Sequence, residues 1–279
     1  VKKQVESLSQ IKSEKEAVEK TCSAIISAFE TRIPKKKFGI LFSGGVDSVL
    51  LAWLVKKYNL NFECYLSVLN YDGFGIPHDL ERAQTAAKIL GIDLKIIETK
   101  LENLENILKL VISNLKRDDV VSVEVVATLW PAVEAIKKDN LKYFMSGTGV
   151  EQVHAGGDRY WHTNNVNELG WDRLINHAWE SDITRYHTLE KFFKLKILAP
   201  FYAEECIQTG MSIAPELKIK NEHQKYIFRL AAKKLGLPEE LVWLRPRPAQ
   251  YASKFDRGVE KLTKQKGFKY KSKYISSLS

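Results

Sequence analysis

Apolar positions along the chain change their period more than once. Over residues 4–32, Val5, Leu8, Ile11, Val18, Cys22, Ile25, Ile26 and Phe29 recur near every 3.6 residues, which predicts a helix. Its first half is heavily charged, so this helix is expected to lie on the surface and dock only near its end. Pro34 and three lysines separate it from Phe38-Gly39-Ile40-Leu41-Phe42, a short apolar run that reads as a buried strand. Gly44-Gly45 ends the run, and Val49, Leu50, Leu51, Trp53 and Leu54 follow with helical spacing. The alternation then repeats. Residues 62–69 predict a second strand and 78–90 a helix with Leu80, Ala83, Ala86, Ala87 and Leu90 inward. Residues 93–98 predict a third strand, 101–116 a helix, and 122–138 another, in which Pro131 is expected to cause a kink or a new start. Tyr143-Phe144-Met145 predicts a fourth strand. Strands alternating with helices give an α/β fold, a parallel β-sheet with helices on both faces. Beyond Gly157 no strand pattern remains, and helices over 168–180, 182–194, 203–210, 221–235 and 253–264 read as a helical layer beside the sheet.

Composition adds exclusions. The 279 residues are 44% hydrophobic and 28% charged, ordinary for a globular protein. No apolar run approaches the roughly 20 residues that span a bilayer, and no signal peptide is expected. Cys22, Cys64 and Cys206 are odd in number and form no CxxC pair, which argues against a disulfide framework and for a reducing, cytoplasmic setting. The first residues are Val-Lys-Lys, as in a chain trimmed at its front. His78, His154, His162, His177, His187 and His223 show no HxxxH or HExxH spacing, so no zinc site is expected. Trp161, Trp171 and Trp179 are expected to pack the core of the helical half. The net charge is +9, and Lys254–Lys273 carries eight basic residues against two acidic ones, six of those nine charges. Phe268, Tyr270 and Tyr274 are interleaved there. Such a tail can contact RNA, but the favoured reading is a solvated, partly disordered end.

Candidate chemistry begins at Ser43-Gly44-Gly45-Val46-Asp47-Ser48. A strand that turns through two glycines into a helix aims backbone N–H groups at one point, beside the positive end of the helix dipole. Ser43 and Ser48 add hydroxyls, and Asp47 adds a carboxylate able to hold a metal against phosphate oxygens. The residues alone predict a nucleoside triphosphate site. No lysine follows the glycines, so this is not a Walker A loop.

The Ser-Gly-Gly-x-Asp-Ser form after an apolar strand resembles the PP-loop of ATP pyrophosphatases. The resemblance implies cleavage of ATP between its α and β phosphates, transfer of the adenylyl group to an oxygen, and displacement of AMP by a nucleophile. Later segments narrow it. Ser146-Gly147-Thr148-Gly149-Val150-Glu151-Gln152-Val153-His154-Ala155-Gly156-Gly157 is similar to the SGEGxDExxxGG loop of asparagine synthetases. Ala199-Pro200-Phe201-Tyr202 is similar to their R-x-PFLD segment. Lys225-Tyr226-Ile227-Phe228-Arg229 matches K-x-x-L-R, and Leu237-Pro238 with Trp243-Leu244-Arg245 and Gln250 matches the LP…R-x-K…Q ending. The resemblance runs from about residue 20 to 255.

It implies an adenine nucleotide α-hydrolase-like core over 37–157, with an N-terminal helix over 1–36, a helical part over 158–255 and a basic tail over 256–279. ATP contacts fall on Leu41, Ser43, Gly44, Gly45, Val46, Asp47, Ser48, Ser67, Ser146, Gly147 and Lys225. Mg is expected on Asp47 and Glu151, and Lys225 is expected to neutralise the departing pyrophosphate. Arg229 is read as support for the fold through a carboxylate. Glu124, Thr148 and His154 fall on the acceptor side, His154 either meeting substrate or facing solvent. The family's SGEG glutamate is Thr148 here, its next Asp-Glu is Glu151-Gln152, and the PFLD aspartate is Ala203, so the ATP half is kept and the acceptor half altered. The family's glutaminase half, with its leading cysteine, has no counterpart in these residues. Three readings follow: an AMP-forming ligase that amidates aspartate or a related carboxylate with ammonia or another amine, a tRNA-modifying ATP pyrophosphatase, and an ATP-binding partner of a separate glutaminase subunit. The first is favoured.

Overall fold

The computed structural model describes residues 10–71, 73, 75–163, 165–177, 182–244 and 249–279. The predicted helix over 4–9, Trp179 and Arg245 fall outside them. Five strands form one sheet: β1 (Phe38–Leu41), β2 (Phe62–Asn70), β3 (Leu94–Lys100), β4 (Tyr143–Met145) and β5 (Lys196–Leu198). Their spatial order is β3-β2-β1-β4-β5, and every pairing is parallel. Parallel neighbours need crossovers, which the helices α1 (Glu14–Arg32), α2 (Val46–Lys57), α3 (His78–Leu90), α4 (Leu101–Leu115) and α5 (Val120–Lys138) help supply.

The strands are apolar almost throughout because each faces helices on both sides. Phe38, Ile40, Phe42, Cys64, Leu66 and Val68 point into one core with α1, α2 and α3. Leu41, Tyr65, Leu69 and Phe144 point into the other, with α4 and α5. Gly39 is part of this packing: a Cβ there would come within 2.6 Å of Ile136 on α5.

Several boundaries differ from the sequence reading. The first helix begins at Glu14, capped by Ser13, and Ile11 instead bridges to Ile213. Its buried residues run from Ala17 to Phe29, so it docks along most of its length and not only at its end. α5 passes through Pro131 as one helix of 19 residues, so no new segment starts there. β5 overturns the expectation of no strand after Gly157; three residues are too few to show a period. After β4 come α6 (Val150–Val153), α7 (Val166–Asp172) and α8 (Thr184–Phe193); after β5 come α9 (Glu204–Ser212), α10 (Tyr226–Lys234) and α11 (Glu239–Val242).

The basic end is also different from the solvated tail expected. It carries α12 (Ala249–Ala252), α13 (Phe255–Gln265) and α14 (Lys271–Ser276), with Phe255, Val259, Leu262, Tyr274 and Ile275 buried in the second core. Lys271 donates to the buried Glu124 on α5 at 2.7 Å.

Candidate active site

In this strand order the chain reverses direction of travel between β1 and β4, and the loops beyond their carboxyl ends open a crevice there. The first loop is Ser43-Gly44-Gly45. Gly44 has φ +71, and a Cβ on it would lie 2.7 Å from the backbone of Ala83, so only glycine fits between the loop and α3. Arg82 on α3 holds the Ser43 carbonyl at 3.1–3.2 Å and pairs with the buried Asp79. Ser48 Oγ donates to the Gly45 carbonyl at 3.1 Å and lies 3.3 Å from Ser43 Oγ. With Gly45 as cap and no side-chain cap, the first N–H groups of α2 have no intrahelical carbonyl to bond, the condition under which a helix start can take an anion.

The second loop, Ser146–Gly149, lies directly on the first. A Cβ on Gly147 would come within 2.8 Å of Asp47 Cβ. Ser146 Oγ is 2.7 Å from Tyr186 OH on α8 and accepts from Thr148 N at 3.3 Å. Gly149, at φ +103, lies against Phe201 and Tyr202, the turn that follows β5.

Lys225 closes the third side. It caps α10 with φ +57, an unfavourable conformation for a side chain with a Cβ. Its Nζ donates to Asp47 Oδ2 at 2.5 Å, and the lysine side chain is only 3% exposed against 22% for the aspartate. The stem crosses Gly156, where a Cβ would fall 2.2 Å from Lys225 Cε, which explains that glycine. Glu151 lies beside this pair, with Arg173 at 3.9 Å. Its side chain keeps about half of its surface open to solvent (49%) while protein crowds the carboxyl. Crowding raises its pKa, and the charges of Lys225 and Arg173 pull it back.

Two buried oxygens here have no partner among the described residues: Asp47 Oδ1 and Ser67 Oγ. Ser67 stands two residues beyond the register partner of Leu41, at the loop end of the sheet. No cluster of three metal-ligating side chains occurs among the described residues. Two carboxylates suffice for a hard cation that takes its other oxygens from phosphate and water, and the bare Asp47 oxygen fits one.

The sequence candidates on the acceptor side scatter. Thr148 lines an open cavity of about 430 Å³, between α7, α8 and the segment from β5 to Tyr202. His154 neither meets that cavity nor faces solvent: it is buried against Phe228, and burial, with Lys218 and Lys225 nearby, holds its pKa well below the usual range. Glu124 is engaged by Lys271, and it is not among the cavity's lining residues. Arg229 supports the fold through the carbonyls of Gln224 and Val242, not through a carboxylate. Trp171 is buried and lines the cavity, whereas Trp161 is 46% exposed, against the expectation of core packing.

Sequence reasoning missed Arg82, Tyr186 and Asp182, and singled out Tyr202 only as part of the segment that follows Ala199. Asp182 accepts from Gln152, from Tyr202 OH at 3.1 Å and from Arg185 at 3.3 Å. A carboxylate therefore stands beside Gln152, but it comes from 30 residues later in the chain, where no local motif marks it.

Comparison with known proteins places these loops among relatives. The asparagine synthase family model matches residues 28–198 and 181–269. Asparagine synthetase [glutamine-hydrolyzing] 1 of Lotus japonicus is 28% identical over 235 residues, covering 79% of this chain and 39% of its own length. A putative asparagine synthetase [glutamine-hydrolyzing] 1 of Methanocaldococcus jannaschii is 25% identical over 274 residues, covering 84% and 49%. The chain thus spans less than half the length of these relatives. Among solved structures, a U34-tRNA thiolase from Methanococcus maripaludis matches with a TM-score of 0.42 at 14% identity, over 95% of this chain and 79% of that one.

Proposed function

The chain belongs to the asparagine synthase family, and from that premise we propose that it is an AMP-forming carbon–nitrogen ligase. In this reading a carboxylate oxygen attacks the α-phosphorus of ATP, the bond to the β-phosphate oxygen breaks, and pyrophosphate leaves. Ammonia or another amine then attacks the acyl carbon of the adenylate, AMP departs, and the nitrogen gives up a proton to form the amide.

The observation that carries this reading is the meeting of Lys225 with Asp47, against which Gly147 also rests. Three segments distant in sequence converge where a triphosphate would lie on the N-terminus of α2. The residues of the first loop, from Ser43 to Ser48, cradle the β and γ phosphates with N–H and hydroxyl donors. Leu41, Val46, Ser67, Ser146 and Gly147 contact the nucleotide from both sides of the crevice. Lys225, held at the bottom by Asp47, offsets the charge that builds on the departing pyrophosphate. Asp47 and Glu151 would hold Mg, which supplies charge neutralisation on the phosphates when bound. Nitrogen comes from free ammonia, another amine or a separate glutaminase subunit. A cytoplasmic setting agrees with three free, buried cysteines, and no described helix is long and apolar enough to cross a membrane.

The RNA reading draws less support. Within the basic end, Lys264, Lys266 and Lys271 are already paired with Glu260, Glu105 and Glu124. One assay separates the readings: follow pyrophosphate release from ATP and Mg with added carboxylates plus ammonia, or with bulk tRNA. Release is expected with a carboxylate and to fall about 100-fold or more in Asp47→Asn, with the circular dichroism spectrum unchanged. Release driven by tRNA alone, or an Asp47→Asn protein of full rate, overturns it.

A further inference from the structure

Resting on the adenylation reading above, we infer that the acceptor is a monocarboxylic acid with a bulky apolar body, aromatic or branched aliphatic, seated in the cavity behind Thr148. The cavity and the nucleotide crevice share one loop. Gly147 rests on Asp47, while the next residue, Thr148, lines the cavity. Tyr186, another lining residue, holds Ser146 of the same loop at 2.7 Å. A ligand with its body in the cavity therefore has its carboxylate end beside the loop that carries the nucleotide.

Size and chemistry select the body. About 430 Å³ lies within the roughly 300–1,000 Å³ of pockets that hold drug-sized ligands. Its walls include Trp171, Ile175, Ile183 and Ile197. No lysine or arginine is among the described lining residues, and the two carboxylates that do line it are already engaged. Asp182 accepts from Gln152, Tyr202 and Arg185, and Glu190 accepts from the Ile197 N–H at 2.8 Å and pairs with His187 at 2.7 Å. Aspartate placed here would bring a second carboxylate among apolar walls and beside two acids whose bonds are already made, with no lysine or arginine among the described lining residues to meet it, an unfavourable transfer. A side chain of carbon alone meets no such penalty. Threonine at 148 fits this choice, since it adds a methyl and a neutral hydroxyl to the wall where a glutamate would add another charge.

The test is pyrophosphate release from ATP and Mg with ammonia, comparing aspartate and glutamate with 3-phenylpropanoate, 4-methylpentanoate and phenylalanine, together with calorimetric titration of the same acids and of ATP. The apolar acids are expected to exceed aspartate at least tenfold in kcat/KM. Ile183→Arg should lower their kcat/KM at least tenfold with ATP affinity unchanged, and Ile183→Met should retain it as a control for folding. Release driven by aspartate but not by the apolar acids overturns the acceptor assignment and leaves adenylation standing. No release with any acid, while ATP still binds, overturns adenylation and the acceptor with it.

Discussion

Lys225 and Asp47 are 178 residues apart in sequence and 2.5 Å apart in space. Burial makes the pair consequential, because neither charge can be removed without leaving the other poorly solvated. Lys218 poses the opposite case. It is buried with no carboxylate partner among the described residues; its Nζ donates to the Val153 carbonyl at 2.7 Å and touches Met211 sulfur, so it anchors the end of α6. Burial pulls its pKa down from 10.5 to about 7. Between those values the unfolded chain holds a proton that the folded one has released, so stability rises with pH across the window. The gain is at most roughly 1.4 kcal/mol per pH unit, and the contribution is lost as pH falls through about 7. Lys218→Met removes the group. Urea denaturation at pH 7 and 9 should show wild type gaining stability relative to this variant; parallel behaviour would contradict the buried, neutral lysine.

At the scale of elements, two adjacent glycines do different work. Gly44 needs its positive φ and its bare α-carbon because α3 lies against it, and backbone atoms cannot move aside. Gly45 has φ −77, and a Cβ there would meet only Ser43 Oγ at 3.4 Å. Gly44→Ala is therefore expected to cost about 2 kcal/mol or more in thermal or urea unfolding. Gly45→Ala should stay within about 0.5 kcal/mol yet weaken ATP binding if the proposed phosphate loop is right, since its new methyl sits beside Ser43 Oγ in that loop. Equal effects of the two on stability would show that the loop is not pinned by α3. β5 makes a related point. Three residues long, it places Ala199–Tyr202 beside the second loop and so builds the far wall of the cavity.

For the whole molecule, the sheet positions the loops and the C-terminal helices close the second core. Leu69 N–H donates to the Ser253 carbonyl, Gly258 packs on Leu69 and Leu104, and Lys271 neutralises Glu124 inside α5. Burial raises the Glu124 pKa, and Lys271 opposes the rise. Lys271→Met should destabilise the protein by about 3 kcal/mol, as breaking a buried pair does. It should also speed tryptic release of the end of the chain. A change below about 0.5 kcal/mol would mean that these helices do not hold the fold.

Periodicity was enough to find β1 to β4 and most of the helices, because strands buried on both faces are continuous apolar runs and amphipathic helices repeat their apolar face. Local motifs were enough for Ser43–Ser48, where a turn forces particular residues into adjacent positions, and for placing Ser146 and Lys225 as candidates. What no local pattern carries is how distant segments meet. The Asp47–Lys225 contact, the approach of Asp182 to Gln152, the burial of His154 and the docking of the basic end on Glu124 all depend on which surfaces the folded sheet brings together. Lysine-rich helices read as solvated because their charges dominate the composition, yet a stripe of Phe255, Val259 and Leu262 is enough to bury one face. The sequence alone determined a glycine turn after the first strand and marked it as the candidate nucleotide site. Only tertiary packing decided that the neighbouring cavity is apolar, since its walls come from segments whose side chains meet nowhere but in the fold.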